Sequence, residues 1–178
     1  MNLLITILLA LSGIIALILM FGLLMRKEYS IHREIIINAP RQNVFDYLRQ
    51  LKNQDNFNKW VMADPDMKRE FKGTDGTVGF IYAWNGNKRA GEGEQEIKSI
   101  EEGKKIETEV RFVRPFPGIA YANMVTESVS GNQTKITWRN ASTMKYPMNI
   151  MLPMIEKMLA KDMGTSLSTL KNILEKQS

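Results

Sequence analysis

A long apolar run at the N-terminus is the feature that most constrains how this chain can fold. Residues 3–25 contain no charged side chain, and Thr6 and Ser12 are their only polar side chains. A helix of this length extends about 35 Å at ~1.5 Å per residue, which is enough to cross a hydrocarbon core of about 30 Å. The run therefore predicts a transmembrane anchor over residues 1–25.

A cleaved signal peptide is the alternative interpretation of this run. A signal peptide has a basic start, an apolar core of about 7–15 residues and a small-residue cleavage site. Here only Met1 and Asn2 precede a longer run, which favours a retained anchor. Arg26, Lys27 and Arg33 follow the run and no basic residue precedes it. The positive-inside rule then predicts a single-pass protein of the plasma (inner) membrane whose C-terminal domain is cytoplasmic.

The charged residues all follow the apolar run. The chain has 24 lysines and arginines against 19 aspartates and glutamates, which gives a formal net charge of +5. A basic domain suits a position near anionic lipid, although an ordinary solvated surface explains the same balance. Because basic residues alternate with acidic ones and form no long run, we expect no nucleic-acid partner.

Cysteine and histidine usage excludes several kinds of chemistry. The chain has no cysteine and a single histidine, His32. Disulfides, thiolate nucleophiles, histidine-based triads and multi-histidine metal sites are therefore excluded. We expect neither a metal site nor a cofactor.

After a basic linker at residues 26–30, the hydrophobic pattern changes period along the chain. Residues 29–38 alternate and are rich in β-branched side chains, so they predict a first strand. Pro40 marks a helix start, and a second short helix is expected near residues 53–58. A long amphipathic helix is predicted over residues 153–176. Between them, short turns separate six predicted strands at residues 67–72, 77–85, 91–100, 104–113, 119–130 and 133–143.

Five segments carry a resemblance to a known family: "IIINAPRQNVFDYL", "YAWNGNKRAGEGEQEI", "RFVRPFPGIAYA", "TKITW" and "KDMGTSLSTLKNILE". With the order of elements, they are similar to the START-related helix-grip superfamily (SRPBCC), in its polyketide cyclase/dehydrase and lipid transport branch. The resemblance implies an α+β helix-grip domain over residues 31–178. In this fold a seven-stranded antiparallel sheet of order 1-7-6-5-4-3-2 wraps a long C-terminal helix and leaves a hollow between them. Such folds host carriers, cyclases, hydrolases and co-chaperones, so the fold alone does not define a reaction.

Cross-strand pairing predicts which side chains face the hollow. Pairing Trp84 with Gly91 and Glu94 with Arg111 aligns two hairpins consistently and leaves glycines opposite aromatic rings. The resulting inner face is mostly apolar with a few polar groups. From the residues alone a filled core is the simpler interpretation, whereas the implied hollow favours a small-molecule pocket. The predicted ligand-binding residues are Phe80, Tyr82, Trp84, Gln95, Ile97, Thr108, Val110, Phe112, Trp138, Asn140, Ile155 and Leu159.

Glutamates on two strands raise the question of acid-base catalysis. Glu92, Glu94 and Glu96 share one face, and the register points them outward as a solvated strand face. Glu127 would face inward if residues 131–132 form a two-residue turn, and a single bulge would send it outward. A catalytic role for Glu127 therefore depends on whether this bulge is present.

The implied sheet order places three loops at the end where the first strand starts. They contain "NGNKRA", "VRPFPG" and "TMKYPMNIMLP", and this end commonly holds the cavity mouth in the superfamily. Residues 26–29 reach only about 13 Å at ~3.3 Å per residue, so the mouth should lie near the bilayer. The residues predicted to face the membrane, or alternatively to close the cavity as a lid, are Arg26, Lys27, Arg114, Phe116, Tyr146, Met148 and Met151.

These patterns favour a membrane-anchored domain that binds or transports a hydrophobic small molecule or lipid. The first alternative is an enzyme similar to the cyclases, which would act on an apolar substrate through Tyr82, Glu127 or Asn140. The second is an interaction module similar to co-chaperones of this fold. The sequence identifies no ligand and no protein partner.

Overall fold

The structure is a computed structural model that describes residues 2–176, and the predicted domain end at residue 178 lies outside them. It begins with the apolar helix α1, Leu3–Leu24. Every residue of α1 is exposed except Gly22. Within the described residues α1 is the one helix that is long and apolar enough to cross a membrane.

Seven strands form one antiparallel sheet in the order β1-β7-β6-β5-β4-β3-β2. This is the sheet order that the resemblance predicted, so the predicted fold is confirmed. The strands are β1 Glu28–Ile37, β2 Lys68–Lys72, β3 Ile81–Asn85, β4 Glu92–Glu101, β5 Lys105–Arg114, β6 Gly118–Ser130 and β7 Gln133–Thr143.

Two short helices and one long helix lie on the inner side of the sheet. They are α2 Arg41–Arg49, α3 Gln54–Phe57 and α4 Leu152–Leu174, and Met148–Met151 form a 3₁₀ turn before α4. α4 runs beside β1 in the same direction. The side chain of Arg33, in the middle of β1, donates to the Ala160 carbonyl (3.1 Å), and Lys171, near the end of α4, donates to the carbonyl of Ile36, near the end of β1 (2.8 Å).

The hydrophobic core lies between α2, the far half of α4 and the sheet. Val44 and Phe45 of α2 are fully buried, as are Met163 and Leu170 of α4. The periodicity of these apolar side chains explains why the two segments form helices, because each helix buries a stripe of side chains against the sheet. The core fills the end of the domain away from α1 and leaves the other end less densely packed.

The register of β3 against β4 differs from the prediction by two residues. Trp84 pairs with Gly93 rather than with Gly91. Gly91 instead belongs to the turn, where the Gly86 amide donates to its carbonyl (2.8 Å) and its φ of +69° lies in the left-handed region. A Cβ at Gly93 would lie 2.8 Å from Cζ2 of Trp84, so the glycine makes room for the indole ring. Because the slip is an even number of residues, the predicted inner face is unchanged.

The predicted linker at residues 26–30 is shorter in the structure. β1 starts at Glu28, which already pairs with Thr143 of β7. The Met144 amide also donates to the Lys27 carbonyl (2.6 Å). The sheet therefore begins almost immediately after α1.

Candidate ligand-binding site

A cavity of about 230 Å³ lies between the inner face of the sheet, α3 and the first half of α4. It is rimmed by the β3–β4 and β5–β6 loops, at the end of the sheet where β1 starts. Its wall is formed by Tyr29, Gln54, Asn58, Trp60, Val61, Met67, Tyr82, Trp84, Arg89, Ala90, Gln95, Val110, Phe112, Arg114, Pro115, Ala122, Trp138, Asn140 and Leu159.

Aromatic rings form much of this wall. Trp60 packs edge-on against Trp138 with ring centroids 5.8 Å apart, and Trp84 packs in the same way against Phe112 at 6.1 Å. Edge-to-face pairs of this kind hold the rings in fixed orientations. All three tryptophans of the chain line the cavity, so a planar apolar molecule would meet a largely preformed aromatic surface.

Amide side chains supply the polar part of the wall. Gln95 donates through Nε2 to the Thr108 hydroxyl (2.8 Å), and Asn140 accepts from the Tyr29 hydroxyl (3.1 Å). Among residues 2–176 no protein partner is found for Oε1 of Gln95 or for Nδ2 of Asn140. One acceptor and one donor therefore remain for a ligand in a wall that is otherwise mainly apolar.

A charged cluster supports the wall behind Tyr82. The Tyr82 hydroxyl donates to Asp55 (2.5 Å) and accepts from Nε of Arg69 (3.0 Å), while Arg69 also pairs with Asp55 (3.1 Å). Burial, and then the hydrogen bond to Asp55, raise the pKa of Tyr82 well above its usual value of 10.0. The phenol is thereby kept neutral and fixed, and it ties α3 to β2 and β3.

Two arginines lie at the mouth of the cavity, and they differ in whether a carboxylate pairs with them. Arg114 is engaged with Glu92 (2.7 Å) and with Asn85 (2.7 Å). Arg89 is exposed and makes no ion pair within the described part of the chain. No aspartate or glutamate contributes to the cavity wall among residues 2–176, so the charged side chains of the wall are the two arginines.

The end of α1 packs directly against the loop that precedes α4. Asn149 is fully buried, and its Nδ2 donates to the Gly22 carbonyl (2.7 Å) and lies 3.3 Å from the Met25 carbonyl. A Cβ at Gly22 would lie 2.6 Å from Cγ1 of Ile150, so only glycine permits this approach without movement. Arg26 pairs with Glu156 of α4 at the same place. We call these contacts the anchor joint; they join α1 to the mouth end of the domain.

Eight of the predicted ligand-binding residues lie in the cavity wall, and four lie elsewhere. Those in the wall are Tyr82, Trp84, Gln95, Val110, Phe112, Trp138, Asn140 and Leu159. Phe80 and Ile97 are fully buried in the core, where Phe80 stacks on Phe71. Thr108 lines a small neighbouring cavity of about 20 Å³, and Ile155 is half-buried outside both cavities.

Sequence reasoning missed the wall that α3 and the following loop contribute. Gln54, Asn58 and Trp60 lie here, and Asn58 donates through Nδ2 to Oε1 of Gln54 (2.8 Å). A helix of only four residues has too few positions for periodicity to show which face is buried. Trp60, three residues after the end of this helix, was the one available signal. Tyr29, at the overlap of the predicted linker and first strand, was also missed.

The glutamates lie outside the cavity. Glu94 and Glu96 pair with Arg111 on the outer face at 2.7 and 2.8 Å, so the outward orientation predicted for them is what the structure has. Glu127 pairs across the strands with Lys135, and the two side chains form an exposed ion pair at 2.5 Å. A bulge between Ser128 and Ser130 provides the single-residue shift that turns Glu127 outward.

The residues predicted to face the membrane lie in segments at the end of the domain where β1 starts, and among them Arg114 lines the cavity. Phe116 is 62% exposed, and Tyr146 and Met151 are each 38% exposed. Arg26, Lys27 and Arg114 are also exposed, whereas Met148 is half-buried in the 3₁₀ turn before α4.

A curved sheet that grips a long helix and encloses an apolar cavity at one end defines a helix-grip domain. The chain matches the model of the polyketide cyclase / dehydrase and lipid transport family over residues 28–175, and it belongs to that family. The matched segment leaves out α1. No curated protein matches the chain significantly.

Solved structures share the fold at low sequence identity. Norcoclaurine synthase from Thalictrum flavum, in complex with dopamine and hydroxybenzaldehyde, is 12% identical with a TM-score of 0.65, over 89% of this chain and 92% of that chain. Ara h 8.0201 is 14% identical with a TM-score of 0.57, over 83% and 97% of the two chains. The Aha1 dimer from Colwellia psychrerythraea is 17% identical with a TM-score of 0.56, over 83% and 96%. At these identities the likeness extends to the fold alone.

Proposed function

We propose that this chain is a membrane-anchored protein that binds or transports a hydrophobic small molecule or lipid. The observation that carries the proposal is the aromatic and amide-lined cavity of about 230 Å³, which opens at the end of the domain where α1 is attached. Family membership supports hydrophobic ligand binding as the role of that cavity. An open cavity also favours this role over a pure interaction module, which needs no cavity.

The anchor joint supports the retention of α1 as an anchor. A signal peptide is released from the mature protein, so it has no need of specific contacts with the folded domain. Here Asn149 binds the last turn of α1, and Gly22 allows close approach of Ile150. With α1 across a bilayer, the exposed Phe116 and Met151 lie at the level of the lipid headgroups beside the mouth. The ligand would then exchange between bilayer and cavity without crossing bulk water.

A pair of matched substitutions tests the cavity. Ala122 lines the cavity, whereas Ala83 lies on the outer face of β3. Ala122→Phe should fill the cavity and abolish a bound molecule, and Ala83→Phe should leave it bound. The full chain would be purified from its own membrane and studied by native mass spectrometry with solvent extraction. A wild-type chain with no bound molecule, or one still bound in Ala122→Phe, would contradict the proposal.

The same spectra test the anchor. A retained anchor predicts an intact mass that includes residues 1–25 and a protein that stays with the membrane after an alkaline wash. A mature mass that lacks these residues would show that α1 is a signal peptide. The cavity proposal would then survive without its membrane part.

A further inference from the structure

The cavity wall contains two arginines and, among the described residues, no carboxylate. Arg114 is neutralised by Glu92, but Arg89 lines the same rim without an ion pair among residues 2–176. An anion at the mouth would therefore meet Arg89 without displacing a protein partner.

The backbone that carries Arg89 is held in place. Oδ1 of Asn87 accepts the amide hydrogens of Arg89 (2.8 Å) and Ala90 (3.1 Å). The backbone amide of Asn87 in turn donates to the Asp64 carboxylate (2.6 Å). This hydrogen bond holds the loop against the segment after α3. A fixed backbone leaves only side-chain freedom to be lost when Arg89 binds, and this lowers the entropic cost of an ion pair.

The cavity is compact. An engineered apolar cavity of roughly 150 Å³ holds benzene, so the volume of about 230 Å³ suits one or two fused rings rather than a whole acyl chain. The rings of Trp60, Trp84 and Trp138 offer faces and edges for a planar molecule. The free acceptor on Gln95 and the free donor on Asn140 can bind a small polar substituent on it.

From these observations we infer that the site is selective for a compact, planar amphiphile with one acidic group, whose carboxylate or phosphate pairs with Arg89 at the mouth while its rings occupy the tryptophan-lined cavity. The inference rests on the proposed ligand-binding function and specifies the class of ligand. The chemistry is the same whether the acid is a free small molecule or the headgroup of a membrane-resident one.

A matched pair of probes tests this selectivity. Naphthalene carboxylate has the acid, and its methyl ester has the same rings without the charge. Binding to the full chain in a neutral maltoside detergent is followed by quenching of tryptophan fluorescence, which reports on the cavity because all three tryptophans line it. Arg89→Gln should weaken carboxylate binding about three- to tenfold, as expected for an exposed arginine pair. Binding of the ester should stay unchanged.

Three control measurements test whether the effect comes from the charge of Arg89. Lys88→Gln removes an exposed neighbouring charge that does not line the cavity, so it should change neither probe's affinity. Arg89→Lys keeps the charge and should retain most of the carboxylate affinity. Added salt should reduce the effect of Arg89→Gln, because the pair is exposed to solvent. Naphthyl phosphate, compared with the carboxylate, distinguishes a phosphate headgroup from a carboxylic acid.

The outcomes separate the inference from the proposed function. If the ester binds but the carboxylate binds no better, or if Arg89→Gln weakens both probes equally, the acid-selective mouth is refuted and the apolar cavity stands. An equal effect of Lys88→Gln also refutes it, since general surface charge would then be responsible. If neither probe quenches the tryptophans, the ligand class is refuted, and the native mass spectra alone then decide the proposed function.

Discussion

Asn149→Asp should open the anchor joint in a pH-dependent manner. Asn149 is fully buried and donates to the Gly22 carbonyl at 2.7 Å. An ionised aspartate cannot donate, and it would place a negative charge against carbonyls at the negative end of the α1 dipole. A buried, uncompensated charge costs about 3–5 kcal/mol, which corresponds to a factor of at least ~100 in the opening equilibrium. A protonated aspartate can donate to Gly22 again, so acid should close the joint.

The direction of the pH effect follows from the difference in proton affinity between the closed and the open joint. In the Asn149→Asp variant the closed joint should bind the proton of the introduced carboxyl group more tightly than the open joint, because only the protonated acid donates to Gly22. Closure is therefore strongest below the ordinary aspartate pKa of about 3.9 and weakens about tenfold per pH unit until the raised pKa is reached. Above that pH the cost is constant.

Trypsin provides the assay because Arg26 and Lys27 lie within the joint. When reclosing is fast, the cleavage rate follows the open population. Relative to wild type at the same pH, Asn149→Asp should be cut on the order of 100 times faster at pH 8, and this ratio should fall toward pH 5. Asn149→Leu should have a smaller effect, since it loses the donor but also removes Oδ1, which is buried without a partner.

Asn132→Asp, in the exposed turn at the opposite end, is the matched control and should leave cleavage unchanged. The thermal stability of the domain should also stay near wild type in every variant, because opening the joint leaves the core intact. If the cleavage ratio for Asn149→Asp is close to one, or does not depend on pH, the joint does not hold α1 in the way described. The specific support for a retained anchor would then be lost.

Three further predictions concern the wall, the outer face and the mouth. Tyr82→Phe removes the hydroxyl between Asp55 and Arg69 and should lower the free energy of unfolding by about 1–3 kcal/mol in chemical unfolding. Tyr47→Phe is the control and should have little effect, because the Tyr47 hydroxyl only accepts a 3.3 Å hydrogen bond from an exposed side chain. Because the pKa of Tyr82 is raised, the folded protein binds the phenol proton more tightly than the unfolded chain does. The stability that this proton contributes is complete below pH 10.0 and is lost as the pH rises toward the raised pKa. Tyr82→Phe should abolish that alkaline loss of stability. Glu127→Gln removes an exposed ion pair and should change neither melting temperature nor ligand retention, and a lost ligand would revive an inward role for Glu127. In a protein that lacks residues 1–25, Phe116→Ser with Met151→Ser should reduce binding to anionic liposomes, while Val78→Ser with Val129→Ser, at the opposite end, should not; equal binding by all variants would contradict a membrane-facing mouth.

The sheet was predictable because its signals are local. Alternation defines the strands and turn residues separate them, so the inner face was predicted even where the register of Trp84 was wrong by two residues. Glu127 depended on a single bulge between Ser128 and Ser130, and a bulge inverts a strand's faces without a clear mark in the sequence. Local signals therefore predict which segments form strands, but they do not predict a register shift of an odd number of residues within a strand.

The cavity and the joint depend on contacts between distant segments. The cavity wall combines Tyr29, Trp60 and Leu159, and no single pattern in the chain connects these positions. Asn149 was one residue in an apolar loop with no sign that its amide binds the end of α1, 127 residues earlier. Such partners become visible only when the fold brings them together, which is why seven wall residues followed from strand parity and Leu159 from helix periodicity, whereas the α3 side did not follow.

In the proposed membrane-anchored protein, the position of α1 at the N-terminus would determine which end of the domain faces the bilayer. β1 starts at the mouth end, whereas α4 runs away from it and ends near Asn38, whose amide donates to Glu175 (2.7 Å) at the opposite end. An apolar helix attached after α4 would hold the closed end of the domain against the membrane and direct the mouth toward water. In the proposed anchored protein, α1 attached before β1 would hold the mouth at the lipid surface, and the anchor joint would limit rotation of the domain away from it. The proposed exchange with the membrane therefore depends on the direction of the first strand as much as on the cavity itself.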